Sequence, residues 1–200
     1  KRPVLVRSGD CMTDIDPLQI ATFARTGHWH LRGLLSRETQ EAFVIHARTL
    51  ASRAPFQHPR MRDGRPMSVK VSSFGERGWW ADEQGYRYIE RHPSGEPFPA
   101  IPDVIGRAMF DALAATIAAD HSAVAAAAVT AAYEADTCLV NLYEPGAQLG
   151  WHVDRTERDL RSPIVTFSIG ATCTFMLRME DQGETRTFRY TLRSGDAIVM

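Results

Sequence analysis

The period of the apolar residues changes near residue 137, and this limits the fold more than any other feature of the chain. Upstream, Phe43, Ala47, Leu50 and Ala51 share one face of a helix predicted from Ser36 to about Arg53, with Ser36 as its N-cap. Ile105, Met109, Leu113 and Ile117 recur every fourth residue, which predicts a second helix from about Pro102 to Ala119. Downstream the runs are short and of β character: Thr137 to Tyr143, Trp151 to Asp154, Ile164 to Ile169, Thr172 to Leu177, Thr185 to Leu192, and Ala197 onward. Turn signals separate them at Pro145-Gly146, Ser162-Pro163, Gly170, Gln182-Gly183 and Ser194-Gly195. Helices first and closely spaced strands afterwards predict an α+β domain, with helices covering one side of a two-sheet barrel or jelly roll. The alanine-rich tract 123–132 extends or follows the second helix, and residues 1–27 read as an arm, with at most a helical turn after Asp16-Pro17.

With 200 residues, 44% of them hydrophobic, the chain can bury one substantial core, so a single domain is expected. No apolar run reaches the roughly 18 residues that a bilayer crossing needs, and a soluble, cytoplasmic protein that contacts no membrane is expected. Cys11, Cys138 and Cys173 are odd in number and widely spaced, which argues against both a disulfide framework and a zinc site. The formal net charge of −1 excludes the strong basic field of a nucleic-acid coat protein. Locally, however, Arg53, Arg60, Arg62, Arg65, Lys70 and Arg77 are opposed only by Asp63 and Glu76. Such a surplus suits phosphates, and an ordinary solvated face accounts for it equally well. The chain is expected to be truncated at its C-terminus, because the apolar run Ala197-Ile198-Val199-Met200 begins a strand that should continue.

The chemistry concentrates in Tyr143-Glu144-Pro145-Gly146, a short bridge, and then His152-Val153-Asp154. On extended backbone, residues two apart point to one face, so His152 and Asp154 would aim an imidazole and a carboxylate at a common point. That is two-thirds of the two-histidine, one-carboxylate facial triad by which non-haem iron(II) oxygenases hold their metal. By itself the pattern also describes a surface histidine beside a solvated aspartate. Its place, after a Pro-Gly turn and before a β-rich half, is that of a ligand pair at a barrel mouth.

The stretches 138–154 (CLVNLYEPGAQLGWHVD) and 159–170 (DLRSPIVTFSIG) resemble the signature of the AlkB-type iron(II)/2-oxoglutarate-dependent dioxygenases. The resemblance continues back through 77–88 (RGWWADEQGYRY) and 97–102 (PFPAIP), and covers roughly residues 50–200. It implies a double-stranded β-helix core at 137–200 with helices packed on one side, and a nucleotide-recognition lid at 55–100. It further implies that His152 and Asp154 are iron(II) ligands, and that a third, histidine ligand and two arginines that clamp 2-oxoglutarate lie beyond Met200. Asn141 and Tyr143, with Leu142 between them, match the positions that hold 2-oxoglutarate. Trp79 and Tyr86 match substrate-recognition residues of the lid, and Arg87 and Tyr88 flank the same turn. Trp80 is expected in the core. Thr156 shares the face of His152 and Asp154 by parity, and departs from the family there, since members that act on N1-methyladenine and N3-methylcytosine often carry an acid that senses the exocyclic amine.

The activity so implied is oxidative dealkylation of N-alkylated bases of the N1-methyladenine and N3-methylcytosine type. Iron(II) is the cofactor, 2-oxoglutarate and O2 are co-substrates, and formaldehyde and succinate are released. The partner is single-stranded or locally opened DNA or RNA, because the target carbon is inaccessible inside a duplex, and a monomer is expected. Two other functions fit the same residues: an oxygenase of this scaffold acting on a protein, lipid or small metabolite, and a non-catalytic nucleic-acid-binding relative.

Overall fold

The computed structural model describes residues 28–119, 135–154, 156, 162–181 and 183–200. The arm at 1–27 and the alanine-rich tract at 123–132 lie outside them. Within the described residues the order is β1 (Trp29–Leu31), α1 (Arg37–Arg53), β2 (Lys70–Gly75), β3 (Gly78–Asp82), β4 (Gly85–Ile89), α2 (Asp103–Ala119), β5 (Thr137–Leu142), β6 (Val165–Phe167), β7 (Cys173–Asp181), β8 (Glu184–Leu192) and β9 (Ala197–Val199). The chain is thus α+β, with every described strand pair antiparallel.

Both helices form where the apolar period placed them. α1 starts at Ser36, whose hydroxyl accepts from the Thr39 N–H at 3.1 Å and so satisfies one of the orphan donors of the first turn. It ends at Ala54, whose N–H reaches the Leu50 carbonyl at 2.7 Å, just before Pro55. α2 begins one residue after Pro102 and buries Ile105, Ala108, Met109, Ala112, Leu113 and Thr116, a stripe repeating every three or four residues. This stripe meets two clusters. Met109, Ala112 and Leu113 pack with Trp29, Leu31, Ala197 and Val199, while Ile105 packs with Leu50, Ala54 and Phe74. Full burial of side chains such as Leu50 and Leu113 contributes about 1.5–3 kcal/mol each, so α2 is the hub that ties the N-terminal helix to both groups of strands.

The strands form small sheets: β1-β9-β6, β2-β5, the hairpin β3-β4 and the long hairpin β7-β8. β1 is fixed to the turn before β9 by Asp196, which accepts from the N–H groups of Gly33 at 2.8 Å and Arg193 at 2.9 Å, and from His30 Nε2–H at 3.1 Å. Burial works to raise the Asp196 pKa, but these hydrogen bonds outweigh it and hold the carboxyl below its ordinary range.

Several sequence expectations need correction. Trp151 to Asp154 was expected as a strand and has no regular secondary structure. Thr156, expected on one face with His152 and Asp154, is exposed and outside any strand, so alternation along a strand does not set its direction. Trp80, expected in the core, is only half-buried. β1 and the three strands β2, β3 and β4 of the 55–100 region carried no strand assignment from sequence. Their burial explains why: Val71, Ser72, Ser73 and Phe74 are all buried, so β2 is covered on both faces and shows no polar-apolar alternation.

Candidate metal and substrate site

β5 brings the site together. Its ladder with β2 runs from Thr137 opposite Gly75 to Leu142 opposite Lys70, and it sets Asn141 opposite Val71. Asn141 is the last but one residue of the strand and Tyr143 is the first beyond it, so on continued extended backbone the two share a face, and both are exposed. Leu142 points the other way by the same parity. About half of Tyr143 is covered, and desolvation there, and after it the neighbouring Cys173, pushes its hydroxyl above the ordinary tyrosine range. It therefore stays protonated at neutral pH and is able to donate a hydrogen bond.

After Tyr143 the chain reverses. The Ala147 N–H donates to the Glu144 carbonyl at 2.9 Å, with Pro145 and Gly146 in the centre of the turn. Gly146 has φ +86°, the left-handed value that the third position of a type II turn requires and that glycine adopts without steric cost. The reversed chain then presents His152 and Asp154.

No strand orders this pair; one local hydrogen bond sets the ring of His152. His152 Nδ1–H donates to the Gly150 carbonyl at 2.8 Å. That bond assigns the proton to Nδ1 and leaves the Nε2 lone pair free, which is the tautomer a metal-ligating histidine needs. Nε2 lies 3.7 Å from Asp154 Oδ1, with the two side chains 54% and 41% exposed. The gap is too long for a hydrogen bond. Two donors about 2.0–2.2 Å from one divalent ion and cis to each other lie about 3 Å apart, so this pair would hold an ion after closing by less than about 1 Å. A neutral imidazole nitrogen and a carboxylate oxygen also match the donor chemistry of an iron(II) site. Among the described residues no third His, Cys, Asp or Glu joins them.

The substrate candidates fall on the β3–β4 hairpin, where the register separates them. Trp79 pairs with Tyr88 and Ala81 with Tyr86, so these four lie on one face; Trp80 and Arg87 pair on the other. Trp79 and Tyr86 stack with ring centroids 5.6 Å apart and planes at 21°, and Tyr86 is 52% exposed. Arg87, on the opposite face, gives both Nη atoms to Asp82, each at 2.6 Å, while Asp82 also accepts from the Gln84 N–H. The hairpin sits close over its neighbour Phe98, since a Cβ on Gly78 would run into the Phe98 ring.

The Arg87 hydrogen bonds hold the Asp82 carboxyl at about 2, well below the usual carboxylate range. Because the folded-state value is the lower one, this support is complete above pH about 4, the unfolded value, and is lost as pH falls towards 2. Acid titration followed by tryptophan fluorescence should show a transition in that window, and Asp82→Asn should remove it. A transition unchanged in the variant would assign the acid sensitivity to other carboxyls.

Trp151, Arg178 and Ser68, not singled out from sequence, and Lys70, named there only in the basic surplus, make contacts next to the site residues. Trp151, next to His152, carries the Arg178 guanidinium of β7 over its ring at 4.4 Å, a cation–π contact. Lys70 donates to Glu144 at 2.6 Å, and Ser68 bonds the backbone of Gln148. A tryptophan directly before the histidine was visible in the sequence, but partners 27 to 80 residues away were not.

Comparison with known proteins identifies the family. The sequence profile described as the 2OG-Fe(II) oxygenase superfamily matches residues 27–200. An alpha-ketoglutarate-dependent dioxygenase AlkB homolog of Caulobacter vibrioides is 38% identical over 166 residues, which are 82% of this chain and 67% of that protein. The Arabidopsis thaliana DNA N(6)-methyladenine demethylase ALKBH1C is 30% identical over 190 residues, 89% of this chain and 40% of its own length. Among solved structures, that of OsALKBH1 superposes with a TM-score of 0.70 at 26% identity, covering 88% of this chain and 79% of its own. Similarity that spans most of the chain in sequence and in fold places it in one family: the chain belongs to the 2OG-Fe(II) oxygenase superfamily, as an AlkB-type dioxygenase.

Proposed function

We propose that this chain belongs to an enzyme that removes N-alkyl groups from nucleic-acid bases, with His152 and Asp154 as two of its iron(II) ligands. The observation that carries the reading is that His152 Nε2, its lone pair left free because Nδ1–H is tied back to Gly150, lies 3.7 Å from Asp154 Oδ1. Residues 55–100 would form the substrate lid, and 137–200 the greater part of a jelly-roll core.

When bound, iron(II) with 2-oxoglutarate and O2 supplies the oxidising power that hydroxylates the N-alkyl carbon, coupled to decarboxylation of 2-oxoglutarate to succinate. The protein's own residues orient and exclude. Asn141 and the protonated Tyr143 hydroxyl would donate to the oxygens of 2-oxoglutarate, with Leu142 fixing their spacing along β5. Trp79 and Tyr86 offer an aromatic face on which a flipped base can stack. Arg87 serves this face indirectly, by bracing the hairpin through Asp82. Tyr88 shares the face of Trp79, and Thr156 is the weakest substrate candidate because no strand directs it inward. The hydroxylated carbon departs as formaldehyde without a protein nucleophile, so positioning is the protein's main contribution.

The reading is supported by the family's name and by the demethylase named among its relatives. No described helix is long and apolar enough to cross a membrane. A panel of oligonucleotides bearing N1-methyladenine or N3-methylcytosine, incubated with the full-length protein, iron(II) and 2-oxoglutarate, should release formaldehyde and succinate in equal amounts. Binding should weaken as salt is raised, because phosphate contacts release counterions. Succinate release unaffected by any oligonucleotide, but stimulated by a protein, lipid or metabolite, would overturn the nucleic-acid assignment.

A further inference from the structure

The β2–β5 ladder ends where Lys70 faces Leu142, yet the two segments stay fastened beyond it. Lys70 Nζ donates to Glu144 Oε1 at 2.6 Å. Further on, the Ser68 hydroxyl donates to the Gln148 carbonyl at 2.7 Å and accepts from the Gln148 N–H at 3.0 Å. One side chain thus makes both hydrogen bonds that a backbone residue makes in a β rung. The Pro145-Gly146 turn is spanned by these two fastenings.

Two residues past Gln148 is Gly150, whose carbonyl holds His152 Nδ1–H. Residues 147–154 have no helix or strand of their own to order them. On its other side Ser68 follows Met67, whose N–H donates to the Pro59 carbonyl at 2.8 Å and whose own carbonyl accepts from His58 Nδ1–H at 2.7 Å. Ser68 therefore lies between the loop at 58–67 and the segment that leads to His152 and Asp154. Of the two fastenings, Lys70–Glu144 is partly exposed, with Glu144 56% open, and pairs of that kind are worth little individually. The double hydrogen bond of Ser68 is exposed as well, but it acts on the Gln148 backbone itself, two residues from Gly150.

We propose that Ser68 is a positioning residue for the metal pair, acting through the Gln148 and Gly150 backbone to set the ring of His152 and coupling that ring to the 58–67 loop. The proposal rests on His152 and Asp154 being metal ligands, and its test separates the two ideas. Mn(II) is titrated into the full-length, metal-free protein, with the free ion followed by electron paramagnetic resonance, and metal-free melting temperatures are measured alongside. Ser68→Ala should weaken Mn(II) binding about tenfold, the low end of what residues behind metal ligands contribute, with a metal-free melting temperature near that of the wild type. Ser68→Thr keeps the hydroxyl at an exposed position and should restore binding, while His152→Ala should lose it by about a hundredfold or more. Unchanged affinity in Ser68→Ala, with His152→Ala deficient, overturns the positioning role alone. Equal losses in Ser68→Ala and Ser68→Thr overturn it too, by tracing the effect to packing rather than to the hydroxyl. Undiminished binding in His152→Ala overturns the metal assignment itself, and the positioning role with it.

Discussion

Replacing His152 by Ala is expected to reduce formaldehyde release from a methylated oligonucleotide by about a hundredfold or more. The magnitude follows from its place in the site. Residues that merely orient a metal ligand already contribute about 10–100-fold to affinity or activity, so loss of the ligand nitrogen sets the upper end as a floor. The imidazole is held in the ligating tautomer by Gly150, and the Asp154 carboxylate left behind would face the ion alone among the described residues. Activity within a few-fold of the wild type, at saturating iron(II) and 2-oxoglutarate, would show that His152 is a surface histidine beside a solvated aspartate.

Trp79→Ala is expected to have the next largest effect, and a selective one. Its ring stacks on Tyr86 at 5.6 Å on one face of the β3–β4 hairpin. Stacking of a base on an aromatic side chain is worth about 1–3 kcal/mol, or about 5- to 150-fold in kcat/KM. Turnover of methylated oligonucleotide should fall by that factor, while the slow decay of 2-oxoglutarate in the absence of oligonucleotide should persist. Parallel loss of both activities would instead make Trp79 a structural residue of the hairpin. Arg87→Ala provides the contrast: its guanidinium is committed to Asp82 on the other face, so its loss should act through hairpin stability.

The helices were legible in the sequence because a single stripe of apolar residues decides them. Ile105, Met109 and Leu113 mark α2 whatever they pack against, and Ser36 marks the start of α1 by its own hydroxyl. The hairpin β7–β8 and the strands β5, β6 and β9 were also visible, because glycine and proline punctuate them, although their ends shift by a few residues. β1 is too short, at three buried residues, to carry a pattern. β2 is buried on both faces, with Ser72 and Ser73 inside, and Ser72 gives its hydroxyl to the Ala54 carbonyl at 2.7 Å. A polar residue that finds its partner in a helix end cannot be recognised as core from sequence alone.

The site shows the same division. His152 and Asp154 are legible in the sequence as a pair on extended backbone, but they lie in a segment without a strand, where the Gly150 carbonyl sets the ring of His152. What directs that segment, Ser68 on Gln148 and Lys70 on Glu144, joins positions more than seventy residues apart and leaves no periodic trace. The register of β3 with β4 also divides Trp79, Tyr86 and Tyr88 from Arg87, a separation that required knowing where the hairpin turns.

The whole chemistry depends on one ferrous ion being shared by an imidazole nitrogen and a carboxylate oxygen. Crystals of the full-length protein grown without oxygen and soaked in iron(II) test this most directly. The expected density is a single ion about 2.0–2.2 Å from both His152 Nε2 and an Asp154 carboxylate oxygen, with His152 Nδ1–H still on Gly150. An ion bound elsewhere, with these two side chains turned apart, would contradict it.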